Sequence, residues 1–507
     1  MKNVLKNYTP EGLFRFFEEV SDIPRGSGNE KGIADYLERF AHERGLYCKR
    51  DTFNNVYIRK EASVGLENKP SVLFQAHTDM VCVAKEGISH NFLTEPIELL
   101  TDDKYIFANG TSLGADDGAG VATMLQLIDS KTVPMPKTEY LFTATEETGM
   151  DGAFGFDYSE VRSALVINLD SEEEFNACIG CAGGIHAKAV IPTERVKTEG
   201  KICKIEISGL SGGHSGIDID LGRRSAIKLA ALCLDRIYKT YPFHVVSLVG
   251  GTRDNVIPSD ATVTVAFVDN TEAKAAKTAL SEIKKELLGI LTKEDRRGFS
   301  LKFSSVGNTA ASEENTVSES EFSDITGGGM LSLKSTSSLI SALMLSPEGV
   351  TDRYVGKTQG IAGSANLGTV KTEKDLCEFS YLIRSGNPFY SEKTFAEIER
   401  LMHLCGGKAE IKGRYPGWEA REGESLQRLY AETVRELYGR DVTFSRVHAG
   451  LECGIIYEKL KALGNTPEII SIGPSNESIH TANERLEAAS FIRLYETAKG
   501  MLKNIAK

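Results

Sequence analysis

The 507-residue sequence predicts an α/β domain with a mixed sheet flanked by helices, split by an inserted α+β domain. Three observations carry that prediction. Over the first 185 or so residues, short apolar runs alternate with amphipathic helical patterns, as in a sheet covered on both faces. Near residue 186 the texture changes to strand alternation with glycine-rich turns, the pattern of an antiparallel sheet. After GRYPGW the α/β character returns, which places 1–187 and 413–507 in one domain and 188–412 in the insertion.

In chain order, Thr9-Pro10 opens a helix whose apolar positions Leu13, Phe16, Phe17 and Val20 recur at helical spacing. A second amphipathic helix lies between Gly28 and Gly45, through Ile33, Tyr36, Leu37 and Phe40. VYIR, SVLFQAH, EYLFTATEE and ALVINLD read as strands, with Gly118 to Ile128 between them as an apolar helix packed on a sheet. In the insertion, CKIEISGLSGGHSG, HVVSLVGGT and ATVTVAFVD read as strands and turns, among helical stretches at 223–240 and 271–292. The stretch 300–350, rich in Ser, Thr and Gly, reads as a less patterned insertion, and strand CEFSYLIRS and a helix over 391–405 close the domain. The C-terminal part ends in a strand (PEIISIG), a histidine-bearing loop and a long amphipathic helix.

Charge excludes whole classes of partner. Net charge is −12 at a sequence pI near 5.5, with no lysine and arginine stripe, so neither nucleic acid nor an anionic membrane is an expected partner. No apolar run approaches the ~20 residues of a membrane span. The N-terminus MKNVLKNYTPEGLFRFFEEV lacks a signal-peptide core. Nine scattered cysteines, among them one C-x-x-C (Cys178, Cys181) with no second pair, read as buried thiols in a reducing cytoplasm.

Acids and histidines then fall where strands end. His77 and Asp79 follow SVLFQA, Glu146 and Glu147 end EYLFTAT, and Asp170 ends ALVINLD. Asp116-Asp117 sits between Gly114 and Gly118, and His480 lies near the C-terminus. Carboxylates and imidazoles in this number suit two adjacent divalent cations, one carboxylate bridging them. Asp116 or Asp117 would bridge, Asp79 would orient His77, and one of Glu146 and Glu147 would ligate while the other serves as general base. Adjacent like charges cost energy unless cations neutralise them, so a metal accounts for the glutamate pair.

Rival motifs fail on context. Gly209-Leu210-Ser211-Gly212-Gly213 fits G-x-S-x-G but runs into a glycine-rich loop where a nucleophile elbow needs a helix. Gly356-Lys357-Thr358 lacks the first glycine of a P-loop, and Gly327-Gly328-Gly329 has no G-K-[ST] after it. Among the other histidines, His214 in GGHSG suits a hydrogen bond to substrate and His448 could line a pocket. His42, His90, His186, His244 and His403 read as surface or core.

QAHTDMV, LGADDGAG, TATEETGMDGAFG, NLDSEEE, GCAGGI, GLSGGHSG, GGTRDNVIP, LIRS, YPGW, HAGLECG and SIGP, in this order, resemble the bacterial aminoacyl-histidine dipeptidases. These are also called cytosol non-specific or Xaa-His dipeptidases, of the dinuclear zinc clan that includes carnosinases and aminoacylases. The resemblance runs from about residue 10 to the C-terminus. It implies a zinc-peptidase catalytic domain and an inserted lid or dimerisation domain. His77 and Asp170 would hold one cation, Glu147 and His480 the other, and Asp116 would bridge. Glu146 would be the general base and Asp79 the residue beside His77. His214, Asn255, Arg384 and His448 would bind substrate. The reaction implied is hydrolysis of dipeptides by a water bridging two zinc ions, with cobalt or manganese also suited. An N-acyl amino-acid deacylase, a tripeptide aminopeptidase or a non-catalytic peptide binder are the alternatives. His480 stands in NESIHTANER, where the family more often has His-Ser-Pro-Asp-Glu. A homodimer through the inserted domain and a cytoplasmic location complete the expectation.

Overall fold

The computed structural model describes residues 4–308, 329–354 and 360–507. The chain forms two compact units: Met1–Cys181 with Trp418–Val447 and Leu451–Lys507, and Ala182–Gly417 with His448–Gly450.

The first unit is built on eight strands: β1 (Tyr47–Arg50), β2 (Val56–Lys60), β3 (Val72–His77), β4 (Thr138–Thr143), β5 (Leu165–Asn168), β6 (Asn176–Cys181), β7 (Thr443–Val447) and β8 (Glu468–Ser471). Their order is β1-β2-β4-β3-β5-β8-β6-β7. Strands β4, β3, β5 and β8 run parallel, and the β2–β4 and β6–β8 pairs that bound them are antiparallel. Every residue of β3 and β4 is buried, which is why they read as near-continuous apolar runs. Successive side chains of β3 serve two cores. Val72, Phe74 and Ala76 join helices α1 (Glu11–Ser21), α2 (Lys31–Glu43) and α3 (Ala115–Asp129). Leu73 joins Tyr57, Leu141, Val166, Trp418 and Ile456 on the other face. The helix Ala488–Ala506 closes the first core, its Phe491 edge-on to Phe14 at 5.5 Å. A small sheet of Leu99–Thr101, Tyr105–Ala108, Arg485–Glu487 and Asn476–Glu477 frames the loop that carries His480.

The second unit is a nine-stranded antiparallel sheet. Its main path runs Ser300–Asn308, Lys201–Ser208, Ala261–Phe267, His244–Gly250, Ile361–Thr372, Leu376–Ser385, Gly183–Pro192 and Lys408–Tyr415. Helices Ala226–Tyr238, Asn270–Ile290, Leu333–Leu345 and Pro388–Leu404 contribute to its own core.

Within 300–350, read from sequence as poorly patterned, the described parts are regular. Ser300–Asn308 is an edge strand paired with Lys201–Ser208. Leu333–Leu345 is a helix that buries Leu339, Ile340 and Leu343, with Ser332 Oγ accepting from Ser335 N at its start. Serines and threonines between those apolar positions hid the helical spacing. Residues 309–328, and the Gly327-Gly328 and Gly356-Lys357-Thr358 positions weighed above, lie outside the described residues.

Candidate metal centre

Parallel strands bring their C-terminal ends to one level. In register, His77 of β3 faces Thr143 of β4, and Gln75 faces Asn168 of β5. The next few residues of each strand therefore emerge together, which is where α/β sheets gather their ligands. After β4 the chain turns through Thr145 at φ +58° into the single turn Glu146–Thr148. Asp170 comes two residues after β5.

Asp116 lies at the start of α3, where its φ and ψ of −83° and 107° are not helical and the Asp116-Asp117 peptide is cis. Its Oδ1 is 2.9 Å from His77 Nε2 and its Oδ2 is 3.1 Å from His480 Nε2. Asp170 Oδ1 is 3.4 Å from His77 Nε2, and Glu147 Oε1 is 3.0 Å from His480 Nε2. Asp117 does otherwise: it is buried and its Oδ1 accepts from Gly120 N at 3.0 Å, inside the helix. Of the two neighbouring aspartates, Asp116 is the one that faces both imidazoles.

Asp79, fully buried, does more than stand beside His77. Its Oδ1 is 3.4 Å from His77 Nδ1, and the carboxylate accepts from Ser27 Oγ (2.7 Å), Glu146 N (3.0 Å) and Glu147 N (3.2 Å). One carboxylate thus ties the end of β3 to the glutamate turn after β4.

Ligand atoms of His77, Asp116 and Asp170 all lie within 4.8 Å of one another, as do those of His77, Glu146 and Glu147, and of Asp116, Glu147 and His480. Five acids crowd two imidazoles here, and the ion-pair partners of Asp116, Glu147 and Asp170 are those imidazoles. Protons answer the excess negative charge. Burial first, then neighbouring carboxylates, pushes Glu146 and Asp170 up to about 8. Burial disfavours a charged His77, but Asp170, Asp116 and Asp79 hold its proton well above the ordinary range. Hydrogen bonds to Asp116 and Glu147 lift His480 to about 11. Burial also opposes charge on Asp116, yet the two histidines keep it far below the ordinary carboxylate range. Hard oxygen and borderline nitrogen donors, two groups sharing one carboxylate, and charge that only protons now balance fit a pair of divalent cations.

The second unit gathers its own polar group. Arg384 is buried, with Nη1 donating to the Tyr415 hydroxyl at 2.5 Å and Nη2 at 3.2 Å from His214 Nε2. His448 Nε2 is 2.7 Å from Ser364 Oγ. A Cβ on Gly216 would meet His448 O at 2.2 Å, His214 Cε1 at 3.0 Å and Arg384 Nε at 3.1 Å, so the three converge there. Asn255 stands in the adjoining loop, its carbonyl accepting from Ser215 N at 2.9 Å. Burial, then the Arg384 charge, depresses His448 to about 4 and lowers His214 as well.

Sequence reasoning missed the residues that hold these loops. Buried Arg25 donates to the Thr78 and Asp79 carbonyls at 3.0 and 2.9 Å and to the Gly114 carbonyl. Buried Glu452 accepts from Thr143 Oγ1 at 2.8 Å and from the Gln75 amide, and Gln75 in turn accepts from Asn168 Nδ2 at 2.7 Å. These links bridge the last turns of β3, β4 and β5. Their only sequence signal is a charged residue inside an otherwise apolar or glycine-rich stretch.

Comparison with known proteins follows this geometry. The cytosol non-specific dipeptidase of Escherichia coli (strain K12) is 32% identical over 505 residues, 99% of this chain and 99% of that protein. The crystal structure of aminoacylhistidine dipeptidase from Vibrio alginolyticus is 28% identical, covers 99% of this chain and 98% of that one, and matches with a TM-score of 0.86. A tripeptidase from Staphylococcus aureus (subsp. aureus Mu50), 17% identical over 98% of both chains with a TM-score of 0.53, shares the fold. Residues 73–504 match peptidase family M20/M25/M40, and the chain belongs to that family.

Proposed function

We propose that this peptidase hydrolyses dipeptides at a centre of two divalent cations, zinc above all, with cobalt or manganese also suited to the donors. The observation that carries the reading is Asp116 set between two imidazoles, Oδ1 at 2.9 Å from His77 and Oδ2 at 3.1 Å from His480. With Asp170 beside the first and Glu147 beside the second, two ligand groups share one carboxylate. Names of relatives that match almost the whole chain, both dipeptidases, support the substrate class.

His77 and Asp170 would hold one cation, Glu147 and His480 the other, and Asp116 both. When bound, such a pair polarises an amide carbonyl and lowers the pKa of a water from about 15.7 towards ~7. Glu146 is then the general base: half-buried, pushed up to about 8 by the surrounding protein and carboxylates, and outside the hydrogen bond to His480 that occupies Glu147. It takes the proton from the attacking water and returns one to the leaving amine. Asp79 keeps His77 and the Glu146 backbone in one frame. In the second unit, the guanidinium of Arg384 offers a fork for a free α-carboxylate, with His214, Asn255 and His448 as further substrate ligands. That unit takes the lid or dimerisation role, and the enzyme works in the cytoplasm.

Glu146→Gln is the test. The variant is expected to fold, to retain two equivalents of cation by elemental analysis, and to lose roughly 10²–10⁴-fold in turnover. Wild-type activity in that variant would remove Glu146 from the role. Hydrolysis of Xaa-His dipeptides ahead of N-acetyl amino acids and tripeptides, lost on chelation and restored by cation, checks the substrate class.

A further inference from the structure

Glu484 is 3% exposed, and its carboxylate hydrogen-bonds mainly to backbone N–H groups, with the Arg25 charge nearby. Oε2 accepts from Leu113 N at 2.8 Å and Gly114 N at 2.9 Å. Oε1 accepts from Ala115 N at 2.8 Å and Asp116 N at 3.3 Å. Asn476 Nδ2 adds a fifth bond at 3.3 Å. Four successive N–H groups aimed at one anion make a nest, here at the start of α3 where peptide dipoles favour negative charge. Gly114 permits it with φ +69°, and its own carbonyl is held by Arg25.

What this carboxylate joins is specific. Asp116 is the last of the four donors, and Glu484 lies four residues after His480 in the same loop, its own N–H donating to Thr481 O at 3.2 Å. The Asp116 backbone and the His480 loop therefore share one anchor, while their side chains meet at 3.1 Å. Helix geometry fixes neither end: His480 is half-exposed and sits at φ +58°, and Asp116 lies outside helical dihedrals.

We propose that Glu484 is a positioning residue that sets the spacing of Asp116 and His480, and so the affinity for the cation those two share with Glu147. This rests on the two-cation reading above. Chelator-treated full-length protein, titrated with Zn(II) or Co(II) against a competing chelator, gives two affinities in the parent chain; fewer than two equivalents there overturns the reading and this inference together. In Glu484→Gln the side chain keeps its size but turns an amide N–H₂ into the nest. The cation held by His480 as well as Asp116 is expected to bind roughly 10- to 100-fold more weakly, and the other, which shares only Asp116, to lose clearly less, with Glu484→Asp between parent and Glu484→Gln. A general loss of stability would weaken both alike. Parental affinities in Glu484→Gln, or equal weakening of both equivalents, overturns the inference. If Glu484→Gln fails to fold by far-UV circular dichroism, Glu484→Asp carries the same comparison, judged by the same unequal loss.

Discussion

Asp116 and Asp117 are chemically identical neighbours with different surroundings. One faces two imidazoles and the other caps a turn of its own helix, and no property of the pair in sequence separates them. His77, Glu146, Glu147, Asp170 and His480 were legible because each is an ionisable residue beside a strand end or in a glycine-free polar loop. Arg25, Glu452 and Glu484 were not, because most of what they hold is backbone or a neutral amide, and such partners leave no pattern of type or spacing. The protons of this cluster make a prediction. Glu146 and Asp170 titrate near 8 instead of the ordinary carboxylate range, and His480 near 11 instead of 6.5, in the cation-free protein. For the two acids, the folded chain holds protons that the unfolded chain has lost above about pH 4. For His480, the stabilising charge is complete below about 6.5 and fades towards 11. In both cases the folded state binds more protons, so stability falls as pH rises. Thermal melts of chelator-treated protein should show a Tm that declines from pH 6 to pH 9, and a cation-induced gain that grows over the same range. A cation-free Tm that climbs across this interval would contradict the charge balance described here.

At the scale of elements, the buried parallel strands declared themselves as short apolar runs with turn residues at their ends. The twelve-residue strand Ile361–Thr372 did not, although it is buried at most positions, because alanine, glycine and serine fill it where valine and isoleucine would have signalled a strand. The helix Leu333–Leu345 was hidden in the same way by serine. Small residues matter again beyond β8. A Cβ on Gly473 would fall 1.5 Å from Ser171 O, so the chain leaving β8 lies flat against the loop that starts at Asp170. Gly473→Ala must push that loop aside. It is expected to cost about 1–3 kcal/mol by denaturant midpoint and to weaken cation binding in step. A Gly473→Ala protein with parental midpoint and cation affinity would show that the Asp170 loop tolerates displacement.

For the molecule as a whole, the change of texture near residue 186 announced an insertion, and the structure has two units with separate cores. The return of His448–Gly450 to the second unit was beyond sequence reasoning, since three residues carry no composition. Separate cores predict separate unfolding. Scanning calorimetry should resolve two transitions, and chelation should lower only one, because every candidate ligand lies in the first unit. A single transition that moves as a whole on chelation would mean that the two cores unfold together.

The strand order β5-β8-β6 has a consequence for a chain emerging from a ribosome. Strands β5 and β6 are made early, yet the place between them belongs to Glu468–Ser471. At roughly 5–20 residues per second, a quarter of a minute to a minute separates the synthesis of β6 from that of the strand that must slot in beside it. The nascent first unit therefore waits with a gap in the middle of its sheet, and the candidate centre waits for His480, the last of its residues to be made: it cannot close until translation is nearly over.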